Sequence, residues 1–306
     1  MIMKKITWFS AFAAICAVAV GVSGCTKKEL RMPEGEKSQL FLTGKTQQMG
    51  GTKAQQQVTT TLPLANGVET GIYVVNRTSG ESVETAGVSN LKHVANASGG
   101  LDNTGDPIIL TTGWEYDMIA YGPHDPAVVA ADGVKVEHGK DMIWAKSEKE
   151  KPNAKTHSTA LTFQHKVSQI QFELVNGGDT GDGKSVDLTG ATFKVTGFVK
   201  DGTVDLATGE LVLGAVDPTI VLTGINNTDL KTDVIYFVPG ENMQLNAEVT
   251  LADGTTFSGV YTKKFQSGMH YKVSIKVVDR DTDLDMDDST LLPWEDEEEG
   301  DLELGQ

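Results

Sequence analysis

Few residues in this chain of 306 have the type and spacing to do chemistry. Cys25 is the first, a thiol preceded by the small side chains of Ser23 and Gly24. Gly178-Asp-Thr-Gly-Asp-Gly183-Lys184-Ser185 has the spacing of a phosphate-binding loop. Such a loop works only where it joins a strand to a helix whose first amides face the phosphates. Val186 to Val199 reads as another strand, and Asp179 and Asp182 would put negative charge in the cradle, so a solvated hairpin loop is expected. Asp279, Asp281, Asp283, Asp285 and Asp287 alternate in a way that invites calcium. An EF-hand loop needs Gly at its sixth position and Glu at its twelfth, and Leu284 and Thr290 stand there instead. An acidic edge or solvated tail is the plainer reading.

The histidines (93, 124, 138, 157, 165 and 270) show no metal-ligand spacing, and His165, on an apolar face, is expected to be a hydrogen-bonded core residue. Trp114, Tyr116 and Tyr121 would suit an aromatic ligand platform, but strand aromatics usually belong to the core. No nucleophile elbow or zinc-protease helix motif occurs. No catalytic residue, metal ligand or cofactor is therefore expected, and the protein reads as non-enzymatic.

Cys25 has a better-defined setting. Lys4 and Lys5 are followed by an apolar run from Ile6 to Val22, then by Ser23-Gly24-Cys25. Charged start, apolar middle and small residues at the end are the layout of a secretory signal. The run resembles the lipobox of bacterial lipoproteins, in which the cysteine thiol is lipidated and the leader is cut just before it. The competing readings are a transmembrane anchor and an ordinary signal with a chance cysteine. The run lies at the lower edge of what spans a bilayer. On the lipobox reading the mature chain begins at Cys25 and is held at the outer membrane by acyl chains (palmitate among them), each methylene contributing about 0.8 kcal/mol.

Cys16 leaves with such a leader, so neither a disulfide framework nor a thiolate metal site is available. Net charge is −16 overall. Without Lys4 and Lys5 there remain 24 basic against 42 acidic residues, or −18, of which residues 279–306 contribute −12 through 13 acids and one base. The acidity is a property of the tail, and the body has no basic stripe of the kind that binds nucleic acid.

The elements needed to position anything are strands. Gly, Thr, Val and Asp are plentiful and no helical period is sustained. Leu40-Phe41-Leu42 reads as a short first strand, Gly44 to Gln57 as an exposed loop, and Thr78 to Asp106 as loop-rich. Ile72 to Val75, Ile108 to Leu110, Tyr116 to Tyr121, Val134 to Val136 and Met142 to Trp144 read as strands. Leu161, Phe163, His165 and Val167 alternate, and Ile170, Phe172 and Leu174 continue in the opposite phase, which predicts a β-bulge near Ser168-Gln169. Phe193 to Val195 reads as a strand, Lys200-Asp201-Gly202 as a hairpin turn, and Val234 to Val238 as a strand buried on both faces. Leu245 to Leu251 and Tyr271 to Val277 alternate cleanly. Two tandem sandwiches fit the length, divided as a signal over 1–24, a tether over 25–37, an N-terminal domain over 38–155, a C-terminal domain over 156–278 and an acidic tail over 279–306.

Several runs, in order, are similar to the fimbrillin family of Bacteroides-type bacteria: Trp114-Glu-Tyr-Asp-Met-Ile-Ala-Tyr-Gly-Pro, Asp141-Met-Ile-Trp-Ala, Leu161-Thr-Phe-Gln-His-Lys-Val-Ser-Gln-Ile-Gln-Phe, Tyr236-Phe-Val-Pro, and Phe265-Gln-Ser-Gly-Met-His-Tyr-Lys-Val-Ser-Ile. The resemblance implies an all-β fold of two transthyretin-like (Greek-key) β-sandwich domains with few or no helices. It also implies lipoprotein export and a role as a type V pilus subunit, with other fimbrial subunits, the outer membrane and a maturation protease as partners and no nucleic acid. In that family a protease removes the lipid-bearing N-terminal strand and a neighbour's terminal segment fills the groove, a form of β-augmentation. Here Leu40 to Leu42 would be the strand removed and Gly44 to Gln57 the loop cut. That loop holds no arginine, which leaves Lys45 and Lys53 as the exposed basic sites. Leu284, Met286, Leu291, Leu292 and Trp294 would form a donor segment, whereas Glu295 to Glu303 is too charged to enter an apolar groove. The alternative is a monomeric lipid-anchored surface protein that binds glycan or host ligand through its loops.

Overall fold

The computed structural model describes residues 33–50, 58–176, 186–226, 228–277, 284–286 and 290–292. The fold is all-β, and a single turn of 3-10 helix at Ala130–Asp132 is the only helical element among the described residues. Residues from Met32 onward form one compact unit.

Ten strands come first: β1 (Lys37–Gly50), β2 (Val58–Pro63), β3 (Glu69–Asn76), β4 (Val88–Ala95), β5 (Gly100–Asn103), β6 (Ile109–Thr111), β7 (Tyr116–Gly122), β8 (Val134–Glu137), β9 (Ile143–Glu150) and β10 (Thr156–His165). All but β8 join one sheet in the order β10-β9-β7-β3-β4-β5-β1-β2, with β6 on the flank of β1. β1 also pairs with β10, so the sheet closes on itself through β1. Inside the ring lies a core that includes Ile72, Val74, Met118, Ala120, Leu161 and Phe163.

Tyr73, Val75, Ile119 and Tyr121, on the other face of β3 and β7, pack into a second core. That double burial is why Ile72-Tyr73-Val74-Val75 is continuously apolar rather than alternating. Burial raises the Tyr73 phenol to about 12, and neighbouring Tyr121 adds to the shift.

The second core is built by β11 (Ser168–Asn176), β12 (Thr192–Thr196), β13 (Asp201–Val204), β14 (Leu211–Leu213), β15 (Leu222–Thr223), β16 (Ile235–Phe237), β17 (Met243–Thr250), β18 (Thr256–Lys263), β19 (His270–Val277), β20 (Leu284–Met286) and β21 (Thr290–Leu292). One sheet runs β16-β11-β19-β20, with β21 also on β19, and another runs β15-β12-β17-β18. Phe172 of β11 meets Phe193 of β12 between the sheets, ring centroids 5.4 Å apart. Phe265 stands edge-on to Phe237 and Tyr271, at 5.0 and 4.9 Å. Offset and edge-on rings of this kind are favoured by the aromatic quadrupole.

Four expectations are corrected. The change of phase near Ser168 is not a bulge in one strand: β10 ends at His165 in the first sheet, and β11 begins at Ser168 in another. Asp201-Gly202 is not a turn, because β13 pairs with β8 and β14, and the hairpin bends after Val204 instead. The stretch from Thr78 to Asp106 holds β4 and β5, whose polar side chains conceal them. The run Val234 to Val238 is a three-residue strand in which Ile235 and Tyr236 are only half-buried.

Two contacts join residues on either side of the passage at Lys166 and Val167. β8 pairs antiparallel with β13, and Trp144 of β9 donates its indole N–H to the Leu206 carbonyl at 3.0 Å. Gly209 takes a left-handed conformation (φ +73°), and a Cβ there would meet the Trp144 ring at 2.6 Å, so only glycine fits beneath that indole. The Lys166 ammonium lies 4.7 Å over the ring system.

Candidate functional site

The feature with the most functional content is β1. Its inward positions are Ser38, Leu40, Leu42, Gly44 and Thr46, all buried, while Phe41, Thr43 and Lys45 face out. Leu40 and Leu42, 7% and 5% exposed, lie in the first core. At about 1.5–3 kcal/mol for each fully buried leucine, their burial is a substantial part of what holds the strand. At Gly44 a Cβ would stand 3.1 Å from Leu64 and 3.2 Å from Phe163, so the missing side chain lets the backbone lie close on that ring.

On one side β1 runs parallel to β10, from Gln39 opposite Thr156 to Thr46 opposite Phe163. On the other side it pairs antiparallel with β6, then β5, then β2. Leu40 N–H donates to Ile108 O at 2.9 Å and Gly44 N–H to Gly99 O at 2.7 Å. β1 is thus a central strand with both edges satisfied, and withdrawing it would leave an open groove lined by Leu161 and Phe163.

The entry to β1 is latched. The Thr112 hydroxyl, fully buried, donates to Pro33 O at 2.5 Å and accepts from Glu36 N–H at 3.0 Å. Gly35 N–H donates to Thr112 O at 3.0 Å, and Thr112 N–H to Glu36 O at 2.8 Å. Sequence reasoning missed this latch. Thr112-Gly113 reads locally as a turn, and nothing near it points to a partner almost eighty residues away.

The expected cleavage loop is shorter than the sequence suggests. Gly44 to Gly50 is strand, not loop, because pairing with β10 and β2 on both sides outweighs its lack of an apolar period. Lys45 is therefore a mid-strand residue, its side chain exposed and its backbone facing Thr162 and Pro63. Lys53 and Cys25 lie outside the described residues, as do Gly178 to Ser185 and Trp294. Leu284 and Met286 fall in β20, and Leu291 and Leu292 in β21; both strands pair antiparallel with β19 of their own chain. Of the alternating aspartates only Asp285 is described, in β20.

The other candidate residues do not converge. His165 is buried, with Nδ1 3.0 Å from both carboxylate oxygens of Asp141. Tyr116 and Tyr121 are core residues, and Trp114 stands partly exposed apart from them. Burial lowers the imidazoles of His93 and His138. Among the described residues no group of three His, Cys, Asp or Glu side chains is placed to hold a metal ion.

β1 runs parallel to β10 and closes the first sheet, and β11 runs parallel to β19 in the second half. Residues 52–294 match the fimbrillin-like family, and the chain belongs to it. No curated protein matches the sequence. Among solved structures, a protein from Bacteroides ovatus provisionally assigned to cell adhesion superimposes with a TM-score of 0.62 at 15% identity, covering 85% of this chain and 100% of its own. Another with the same assignment, from Bacteroides uniformis, gives 0.57 at 18% identity, covering 85% and 99%. At such identities the likeness establishes the fold.

Proposed function

We propose that the protein is a non-enzymatic structural subunit of cell-surface fimbriae, exported as a lipoprotein on Cys25 and polymerised by strand exchange at the place of β1. The observation that carries this reading is β1 itself. It is an amphipathic, central strand, and it reaches the rest of the fold through the short segment 51–57. Cutting that segment would leave β1 held by non-covalent contacts alone. β-Augmentation supplies affinity through main-chain hydrogen bonds and alternate side-chain pockets. The row vacated by Ser38, Leu40, Leu42, Gly44 and Thr46 is such a set of pockets. The reading includes two modules, with their border moved from residue 155 to Lys166 and Val167 because β10 belongs to the first sheet. Lys45 lies mid-strand between β10 and β2, where a protease has poor access to the backbone, which leaves Lys53 as the cleavage site in this reading.

The donor is the segment carrying Leu284, Met286, Leu291, Leu292 and Trp294, released from β19. The test is gel electrophoresis without boiling after treatment with a lysine-directed protease, using Lys53→Gln as control. A heat-labile ladder that Lys53→Gln abolishes is expected. A single band with intact wild-type protein would overturn the assembly role.

A further inference from the structure

We infer that the chain carries tension between its two ends through two parallel strand pairs, set in series and each loaded in shear. The inference concerns the uncleaved chain, which keeps its own β1, and its test does not depend on the fimbrial reading.

The argument is topological. The chain enters β1 at its N-terminal end, beside the Thr112 latch. It leaves β10 at the C-terminal end and passes through Lys166 and Val167 into β11. Because β1 and β10 are parallel, a pull on Pro33 and an opposite pull on His165 act at opposite ends of the pair. Such a pull slides the strands along each other, so the whole ladder from Gln39–Thr156 to Thr46–Phe163 resists together. Pulled from one common end, the same ladder would open one position at a time.

The arrangement recurs in the second half. Load entering β11 at Ser168 leaves β19 at Val277, and these strands are parallel from Gln169–His270 to Asn176–Val277. Most other pairings in the fold are antiparallel, including β17 with β18 and β3 with β7. The parallel geometry is found where a force between the ends must cross from β1 to β10 and from β11 to β19.

Neither pair is an exposed ribbon. β1 is flanked by β2, β5 and β6, and β11 by β16. Water therefore has limited access to the ladders that must break together.

Forced unfolding reports the barrier to unfolding along the pulled coordinate rather than equilibrium stability. Single-molecule pulling on the unlipidated chain from Cys25 to Gln306 provides the test. In one arrangement the handles sit on the Cys25 thiol and on a tag after Gln306. In the other they sit on Cys25 and Lys155→Cys, an exposed position at the N-terminal end of β10 that loads the same ladder from one end. Asn153→Cys, also exposed, is a second handle position at that end. At matched pulling speed, the first event releasing more chain than the segment after Val277 should need at least twice the force in the end-to-end arrangement. Equal or lower force there would overturn the inference, whether or not the protein forms ladders on gels.

Discussion

β1 and β11 occupy equivalent places, each the first strand of its half and each parallel to a late strand of that half, yet they are held differently. β1 buries one face only. Its inward row is two leucines among a serine, a glycine and a threonine. β11 buries Ile170, Phe172 and Leu174 in the second core, and Ser168 and Gln169 are buried too. Phe172 reaches across to the ring of Phe193 in the facing sheet. β1 is joined to β2 by the segment 51–57, whereas β11 continues from β10 within two residues. Of two strands with similar pairing, β1 buries the smaller row of side chains and β11 the larger. The distinction lies in side-chain volume and chain connection rather than in backbone pairing, which is similar in both.

The largest expected effects break that comparison directly. Phe172→Ala should cost about 4 kcal/mol, because a ring between two sheets leaves a cavity that the surroundings fill only partly. Unfolding by denaturant should show this as a loss of global stability, with amide exchange accelerated in β11, β12 and β19 alike. Leu42→Ala should cost about 3 kcal/mol, but locally. Exchange should rise in β1 and its partners β5 and β10 while β11 and β19 keep their protection. Equal acceleration everywhere in the Leu42 variant would mean that β1 is as integral as β11, and the contrast would be lost.

A smaller effect sharpens the contrast at the entry to β1. Thr112→Val keeps the shape of the side chain and removes the hydroxyl that serves Pro33 and Glu36. Hydrogen bonds of this kind contribute about 1 kcal/mol each, and a buried group left unpaired costs more. The variant should expose residues 33–36 to proteolysis and leave the unfolding of β11 unchanged, while Thr112→Ser should restore protection. If cutting near Pro33 is unaffected, the latch does not hold the tether.

Much of the scaffold was legible because alternation survives wherever one face is wet. Leu245, Ala247 and Val249 of β17, and Tyr271, Val273 and Ile275 of β19, announce themselves by period two. The hidden elements have a common cause. β4, the second half of β1 and β13 carry Ser, Asn, Lys, Gln, Thr or an Asp-Gly pair, and they become strands because partners distant in sequence supply the hydrogen bonds. Propensity loses there to tertiary pairing. The opposite phases of Phe163 and Ile170 were visible, but their meaning was not. A change of sheet and a bulge leave the same mark on the sequence. At the candidate site, Leu40 and Leu42 could be read directly, whereas Thr112 could not, since its latch is defined only by a partner far away in the chain.

The smallest effect concerns the contact between the halves rather than either first strand. Glu137, at the end of β8, accepts from Lys135 at 2.7 Å and from Lys140 at 2.6 Å, and faces Asp201 of β13 in the ladder. Those two ammonium groups, Lys135 first, lower its carboxyl from 4.5 to about 2. A carboxyl lowered on folding stabilises the native state above its unfolded value, and that contribution fades as pH falls from about 4.5 towards 2. The site is partly exposed and solvent screens it, so the gain is about a few tenths of a kcal/mol. Wild type and Glu137→Gln should therefore differ slightly in unfolding midpoint at about pH 5.5 and converge by about pH 2. Amide exchange should quicken in β8 and β13 in the variant, with β1 and β11 unmoved. A change in β1 instead would mean that the closed first sheet depends on its contact with the second half, and that β1 is not released independently of it.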